Sequence, residues 1–201
     1  MLRQSVASPE RPPVARDPDD RALMALVAAG DAAAFRQVVA RHIEMVHAVA
    51  WRLLGDAAEA EDVVQDAFAK VWTHAPGWTP AGGGLGGWLR RIANNLCLDR
   101  LRRRRPLSAA PVPDRPDDAP GADEAYDEAR RSAAVAAAIQ ALPERQRAAI
   151  VLTYHEGLSN AEAAMTLGLG VKALESLLVR ARQGLTSALA AQGLIAQGGE
   201  S

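Results

Sequence analysis

The chain is poor in cysteine and in long apolar runs, and both absences narrow the compartments it can occupy. A single cysteine among 201 residues excludes an internal disulfide framework and a cysteine-based zinc site within the chain. It also fits a reduced, cytoplasmic compartment. No run reaches the roughly 18 apolar residues of a membrane span, and the first residues lack the apolar core of a secretory signal. We therefore predict a cytoplasmic protein without direct insertion into a membrane.

Residue patterns that carry catalysis are also missing. The four histidines do not form a metal-ligand set with other side chains. Neither a phosphate-binding glycine motif nor a nucleophile motif occurs. We therefore expect no enzymatic activity, no metal, no cofactor and no small-molecule substrate.

The net charge of −1 gives no indication of a polyanionic partner, but the distribution of charge does. Residues 90–105 contain seven arginines and a single acidic residue, Asp99. Such a cluster neutralises phosphates and releases counterions when it binds nucleic acid. Cations also favour the C-terminal end of a helix, but the four consecutive arginines at 102–105 exceed what capping needs. We interpret this segment as a nucleic-acid contact.

Helical periodicity recurs along most of the chain, and no segment has the alternation of a β-strand. Proline and acidic residues instead dominate two stretches, which is typical of tails and linkers. We predict an all-α protein with two small helical domains joined by a proline- and aspartate-rich linker. The predicted order is a disordered tail (1–18), a first domain (19–105), a flexible linker (106–124), a second domain (125–193) and a short tail (194–201).

Capping residues and apolar stripes predict four helices in the first domain. The residues suited to begin the first three helices are Asp19 or Asp20, Asp31 and Asp56, and the glycines suited to end the first two are Gly30 and Gly55. The predicted buried stripes include Leu26 in the first helix, Ile43 in the second and Trp72 in the third.

Glycine and an apolar stripe define the fourth helix of this domain. The glycine-rich segment 76–87 is predicted to be a loop, so the fourth helix should begin at Trp88 and run into the arginines. Cys97 lies on or near the apolar side of this helix, and we predict a small core residue there rather than a reactive thiol.

The second domain contains the pattern of a helix-turn-helix. Ser159 and Glu162 have the spacing of a capping box, and a tight turn follows at residues 168–170. The next helix should bury one face, composed of Val171, Leu174, Leu178, Ala181 and Leu185. An ordinary helical hairpin would have the same periodicity, so both interpretations stay open on this evidence. In a helix-turn-helix, the side chains that face the major groove would be Lys172, Ala173, Glu175, Ser176 and Val179, and those suited to phosphates would be Arg180 and Arg182.

Three stretches follow one another in a recognisable order. They are residues 60–72 (AEDVVQDAFAKVW), residues 87–103 (GWLRRIANNLCLDRLRR), and a set of positions from Leu142-Pro143 to Arg180-Ala181-Arg182. Together they resemble the extracytoplasmic-function group of sigma factors in the bacterial sigma-70 family. The first stretch is similar to that family's helix for binding core RNA polymerase, the second to its −10 recognition helix and the third to its −35 reader.

The resemblance implies a protein that directs core RNA polymerase to promoter DNA and helps to melt the −10 element. It implies polymerase binding by an acidic face composed of Glu61, Asp62, Gln65 and Asp66. It implies −10 contacts by Trp78, Trp88, Arg91, Asn95, Arg100, Arg102, Arg103 and Arg104. The −35 contacts would be made by the helix-turn-helix residues given above. An anti-sigma factor is implied as a further partner.

Some positions depart from the family pattern. Asn94 lies where arginine is frequent, and Glu175, Leu177 and Val179 lie where basic or polar residues are common. Eighteen extended linker residues reach roughly 60 Å, so we expect the two domains to contact separate promoter elements and to move relative to each other. Two other interpretations stay open: a dimeric helix-turn-helix regulator that binds duplex DNA without polymerase, and a helical scaffold without a DNA role.

Overall fold

Helices form nearly all the regular structure of the described chain. The computed structural model describes residues 18–80, 83–104 and 123–194, and within these ranges it contains eight α-helices and no β-strand. The all-α prediction is confirmed. The predicted N-terminal tail up to residue 17, the linker from 105 to 122 and the last seven residues lie outside the described residues.

The helices form two domains along the chain. The N-terminal domain consists of α1 (Pro18–Ala28), α2 (Ala32–Leu54), α3 (Ala57–His74) and α4 (Gly84–Arg104), with a 3-10 turn at Ala75–Gly77. The C-terminal domain consists of α5 (Asp123–Ala141), α6 (Glu144–Ile150), α7 (Asn160–Leu167) and α8 (Val171–Ala191), with a π-helical turn at Val151–His155.

The helix ends follow local capping chemistry. Asp31 accepts hydrogen bonds from the amides of the first turn of α2, and Asp56 does the same for α3. Gly55 ends α2 in the left-handed conformation, at φ 68°, which costs a residue without a Cβ little. The prediction for α1 is wrong, because this helix begins at Pro18, whose missing N–H suits a first turn. Asp20 therefore lies inside the helix, where it pairs with Arg41 and His42 of α2.

The N-terminal core contains apolar side chains from all four of its helices, among them Val38, Val63 and Leu89. Three predictions of burial are wrong: Leu26 is 48% exposed, Ile43 is 39% exposed and Trp72 is 40% exposed. The packing of neighbouring helices decides which side chains of an apolar stripe are covered.

The fourth helix is longer at its N-terminal end than the glycine content predicts. Gly83 and Gly84 both have positive φ, at 85° and 63°, and the amide of Gly87 donates to the carbonyl of Gly83. Leu85 is buried, so packing stabilises a first turn that composition alone disfavours.

Cys97 is fully buried in this helix, as predicted. Burial raises the pKa of its thiol to about 12, against the weaker opposing effect of Arg100. The thiol is therefore protonated and shielded from solvent at neutral pH.

The C-terminal core is smaller and is centred on Leu152, Leu174 and Leu178. Of the predicted buried face on α8, Leu174, Leu178 and Ala181 are buried, while Leu185 is half-buried. Val171 is 42% exposed, which corrects the prediction for that position. Val171 is the first residue of α8, and the core that buries the later residues of this face does not cover the helix end.

The two domains pack against each other through α4 and α7. Ala148 and Val151 of the C-terminal domain belong to the same buried cluster as the N-terminal core. This packing differs from the separate, mobile domains that linker composition suggests. A helical pattern shows which face is apolar, but it does not show which other helix covers that face.

No helix within the described ranges combines the length and the apolarity needed to cross a bilayer.

Candidate functional site

An acidic face runs along the solvent side of α3. The four residues of the predicted polymerase-binding face are all exposed: Glu61, Asp62, Gln65 and Asp66. Their spacing places them on one side of the helix, while Val63 and Val64 on the other side are buried in the core. This helix thus presents carboxylates outwards on a rigid, well-packed element.

A groove lies beside this acidic face, between α2 and α3. It has a volume of about 550 Å³ and is lined by Ile43, Glu44, His47, Glu61, Val64 and Gln65. The exposure of Ile43 is explained by this groove, because no helix of the described chain covers it there. An apolar floor with carboxylates at its rim can accept a helix that carries both apolar and basic side chains. The sequence pattern missed the three α2 residues because they are far from α3 along the chain.

The arginines of α4 form a basic surface, in contrast to the acidic face of α3. Arg91, Arg102 and Arg103 are exposed, as is the amide of Asn95. Part of the charge is compensated, since Arg102 pairs with Asp99 at 3.2 Å. Arg100 donates to Asp66 at 2.7 Å, which ties the basic helix to the acidic face of α3. Arg105 and the side chain of Arg104 are outside the described part of the chain.

The two tryptophans predicted for the −10 site lie together beside this helix. The ring centroids of Trp78 and Trp88 are 6.4 Å apart, with the planes inclined by 50°. Both are half-buried and pack against the N-terminal core. Trp78 therefore anchors the turn after α3 on the start of α4, and each indole keeps a partly exposed surface.

The helix-turn-helix geometry is present in α7 and α8. Ser159 and Glu162 form the capping box that the sequence predicts, and Gly168 ends α7 in the left-handed conformation at φ 65°. All seven predicted −35 residues are exposed on α8: Lys172, Ala173, Glu175, Ser176, Val179, Arg180 and Arg182. The Ser176 hydroxyl donates its hydrogen to the carbonyl of Lys172. Towards DNA, the hydroxyl oxygen can therefore act only as a hydrogen-bond acceptor.

Loss of the capping box should destabilise the recognition domain. We expect Ser159→Ala to lower the free energy of unfolding by about 1 kcal/mol, as N-cap removal does. Urea unfolding followed by circular dichroism measures the change. Ser187→Ala on the exposed side of α8 is the control and should change stability by less than about 0.5 kcal/mol. An equal loss in both variants would contradict a specific capping role.

The same capping box should make stability depend on pH. Hydrogen bonds from Ser159 hold the pKa of Glu162 below its usual range. The carboxylate form therefore favours the folded state, and its contribution is complete at neutral pH and lost as the pH falls through the lowered pKa. In Ser159→Ala this acid-dependent loss should become smaller.

Two protein families match the two domains. The family described as sigma-70 region 2 matches residues 38–106, which fall mostly on α2 to α4. The family described as sigma-70 region 4 matches residues 132–185, which include the helix-turn-helix. The acidic face and the arginines of α4 thus fall in the first match, and the exposed face of α8 falls in the second.

Similar curated proteins carry the name of one group of transcription proteins. The sigma factor SigE of Mycolicibacterium smegmatis, an ECF RNA polymerase sigma factor, is 37% identical over 170 residues, which are 81% of this chain and 65% of SigE. The ECF RNA polymerase sigma factor SigM of Mycobacterium tuberculosis is 35% identical over 170 residues, which are 85% of this chain and 84% of SigM. The chain thus spans slightly less than two thirds of SigE and most of SigM.

Solved structures of similar proteins have the same helical fold. The complex of CnrH with the cytosolic domain of CnrY matches with a TM-score of 0.62 and 36% identity, over 86% of this chain and 98% of CnrH. CnrH is an RNA polymerase sigma factor of Cupriavidus metallidurans. The sigma factor RpoE of Bartonella quintana, solved with the anti-sigma factor NepR, matches with a TM-score of 0.61 and 26% identity, over 78% of this chain and 96% of RpoE.

Proposed function

Because this chain belongs to the extracytoplasmic-function group of sigma-70 RNA polymerase sigma factors, we propose that it binds core RNA polymerase and directs it to promoters through two DNA contacts. The observation that carries this proposal is the pairing of two exposed faces on adjacent helices. The exposed carboxylates of Glu61 and Asp62 on α3 are suited to a protein partner, while the exposed arginines of α4 are suited to DNA. A dimeric regulator that binds DNA without polymerase would not need the acidic face of α3.

The polymerase contact is assigned to the acidic face of α3 together with the groove beside it. Glu61, Asp62 and Gln65 face solvent at the groove or next to it. Complementary charge speeds the encounter of two proteins and fixes the register of their contact. The partner surface is a helix of the polymerase that carries basic side chains around an apolar stripe.

The −10 contact is assigned to α4. Arg91, Arg102 and Arg103 neutralise backbone phosphates, and such contacts position DNA without reading its sequence. The exposed parts of Trp78 and Trp88 are suited to stack on an unpaired base, because single strands are held by aromatic faces and cations. Asn95 on the exposed side of the same helix can hydrogen-bond a base edge.

The −35 contact is assigned to the exposed N-terminal half of α8, which a helix-turn-helix places in the major groove. Lys172 and Ser176 carry polar groups towards the bases, and Glu175 can accept from the amino group of a cytosine. Arg180 and Arg182 lie farther along the helix, where phosphates are within reach.

Membership of the sigma-factor family also supports a location, a lack of catalysis and a regulatory partner for this protein. The protein acts in the cytoplasm and has no catalysis of its own, because the chemistry of transcription belongs to the polymerase. CnrH and the Bartonella RpoE were each solved with a protein partner, which supports an anti-sigma factor as the regulator of this chain. We expect that partner to cover surfaces that polymerase and DNA otherwise occupy.

Run-off transcription with purified core polymerase and fragments of genomic DNA tests this proposal. Discrete transcripts should require the protein. The double variant Arg102→Ala, Arg103→Ala should reduce them about three- to tenfold and should lower the salt dependence of promoter binding by about one to two phosphate contacts. The double variant Arg21→Ala, Arg36→Ala removes two exposed arginines from α1 and α2 and should leave transcription unchanged.

Absence of transcripts together with tight, sequence-specific binding of duplex DNA by the protein alone would contradict the sigma-factor role. That result would instead support a regulator that acts without polymerase.

A further inference from the structure

The contact between the two domains contains a buried carboxylate. Glu156, directly after the π-helical turn, has a side chain only 7% exposed. Its Oε1 accepts from Arg52 of α2 at 3.1 Å, and its Oε2 accepts from Arg90 of α4 at 3.2 Å. One carboxylate of the C-terminal domain therefore binds two helices of the N-terminal domain. Water screens such a pair less than an exposed one.

The local backbone presents Glu156 at this point. The wide π-helical turn closes with a hydrogen bond from the Glu156 amide to the carbonyl of Val151. Gly157 then adopts a positive φ of 64°, which turns the chain away immediately after the carboxylate. Burial and the neighbouring Arg52 lower the pKa of His155, so this imidazole is neutral at neutral pH. Glu156 is thus the charged group that this turn brings to Arg52 and Arg90.

A second contact caps the C-terminal end of α2. The last carbonyls of a helix have no partner within it and carry its negative partial charge. The Gln140 side chain donates to the carbonyl of Arg52 at 2.8 Å, and Arg147 donates to the carbonyl of Leu53 at 2.5 Å. Gly55 makes this approach possible, because a Cβ there would lie 3.0 Å from the Gln140 side chain. Two C-terminal side chains therefore supply donors that α2 lacks.

The flank of α4 that carries Arg90 also carries a buried polar side chain. Asn94 is fully buried on α4, one helical turn beyond Arg90. Within the described chain, neither its Nδ2 nor its Oδ1 has a hydrogen-bond partner. On this flank of α4, Asn94 and Leu98 are buried, whereas the Arg90 side chain is 23% exposed. A buried amide without partners favours a state in which water reaches it.

We propose that the free protein is held in a closed, inactive state by the latch of Glu156 with Arg52 and Arg90. This inference rests on the two-site promoter binding proposed above. In the closed state α7 of the −35 reader packs on α4 of the −10 reader, whereas one turn of duplex already separates sites by about 34 Å. Core polymerase binds the open state and so separates the domains. Opening also exposes Arg90 and Asn94 on the −10 helix.

Fluorescence energy transfer within the full-length chain tests the closed state directly. Exposed positions for a dye pair are Ala22 on α1 and Gln183 on α8, each replaced by cysteine. The native Cys97 is buried with a raised pKa, so maleimide dyes should label only the new thiols. The wild-type background should show high transfer without polymerase and lower transfer when core polymerase is added.

Glu156→Gln keeps the size of the side chain and removes its charge. It should lower transfer in the absence of polymerase and tighten binding of core polymerase about three- to tenfold, because the competent state is more populated. Arg90→Gln should act in the same direction. Glu144→Gln in α6, for which no ion pair is found in the described chain, is the matched control and should change neither signal. Asn94→Leu removes the unpartnered amide and should raise transfer and weaken polymerase binding.

Several results would overturn the latch. Low transfer in the unbound wild-type background would show that the domains are apart without polymerase. Unchanged transfer in both Glu156→Gln and Arg90→Gln would show that these side chains do not hold them. Opening by Asn94→Leu would show a general loosening of the fold instead. Failure of the wild-type chain to bind core polymerase would contradict the proposed function, while the transfer measured without polymerase would still decide the latch.

Discussion

Charge reversal at Asp62 should abolish transcription that depends on this protein. Asp62 is exposed at the centre of the acidic face on α3, whereas Asp66 is already paired with Arg100. A like charge placed against a basic partner costs several kcal/mol. We therefore expect Asp62→Arg to reduce the affinity for core polymerase at least about tenfold, and run-off transcripts to disappear at protein concentrations that saturate the wild type. Titration of labelled core polymerase, followed by run-off assays, measures both effects.

Two comparisons make the Asp62 result specific. Arg130→Glu reverses a charge on the exposed side of α5, away from the acidic face, and should retain transcription. The free energy of unfolding of Asp62→Arg should stay within about 0.5 kcal/mol of the wild type, as for other exposed positions. Wild-type affinity for polymerase in Asp62→Arg would refute the assignment of this face.

Arg147→Met should cause a large loss of stability. Arg147 is 8% exposed and donates to the carbonyls of Leu53, Gln140 and Leu142 and to the side chain of Gln140. Methionine retains much of the packing but none of the donors, so buried carbonyls in both domains lose their partners. Each such loss costs about 1–3 kcal/mol when the group stays buried. We expect a total loss of about 2–4 kcal/mol, seen as a fall of about 6–12 °C in Tm.

Arg145→Met provides the matched control for this effect, because Arg145 is exposed on the same helix two residues earlier. Thermal and urea unfolding of both variants should separate them clearly. If the two variants lost the same small amount of stability, the carbonyls around Arg147 would have to find other donors or water. That outcome would remove Arg147 as the anchor of the domain contact.

The sequence determined the features that depend on neighbours along the chain. Asp31, Asp56 and Ser159 cap helices because a side-chain oxygen reaches amides two or three residues ahead, and the structure has these bonds. Periodicity also predicted the exposed face of α8, although it left a helix-turn-helix and an ordinary helical hairpin both open. Cys97 is buried as its place in the stripe predicts. The polymerase- and DNA-binding roles, by contrast, came from the family resemblance, and their individual residues stay predictions.

Long-range packing alone decided the remaining features. Arg147 and Glu156 look like ordinary helix charges in the sequence, yet each is buried against residues about 66 to 104 positions away. Ile43 belongs to an apolar stripe but lines an open groove, because α3 does not cover that side of α2. Periodicity shows how apolar each face of a helix is. It does not contain the positions of the other helices, and these set which charges meet, which carbonyls are capped and whether the two DNA readers lie together or apart.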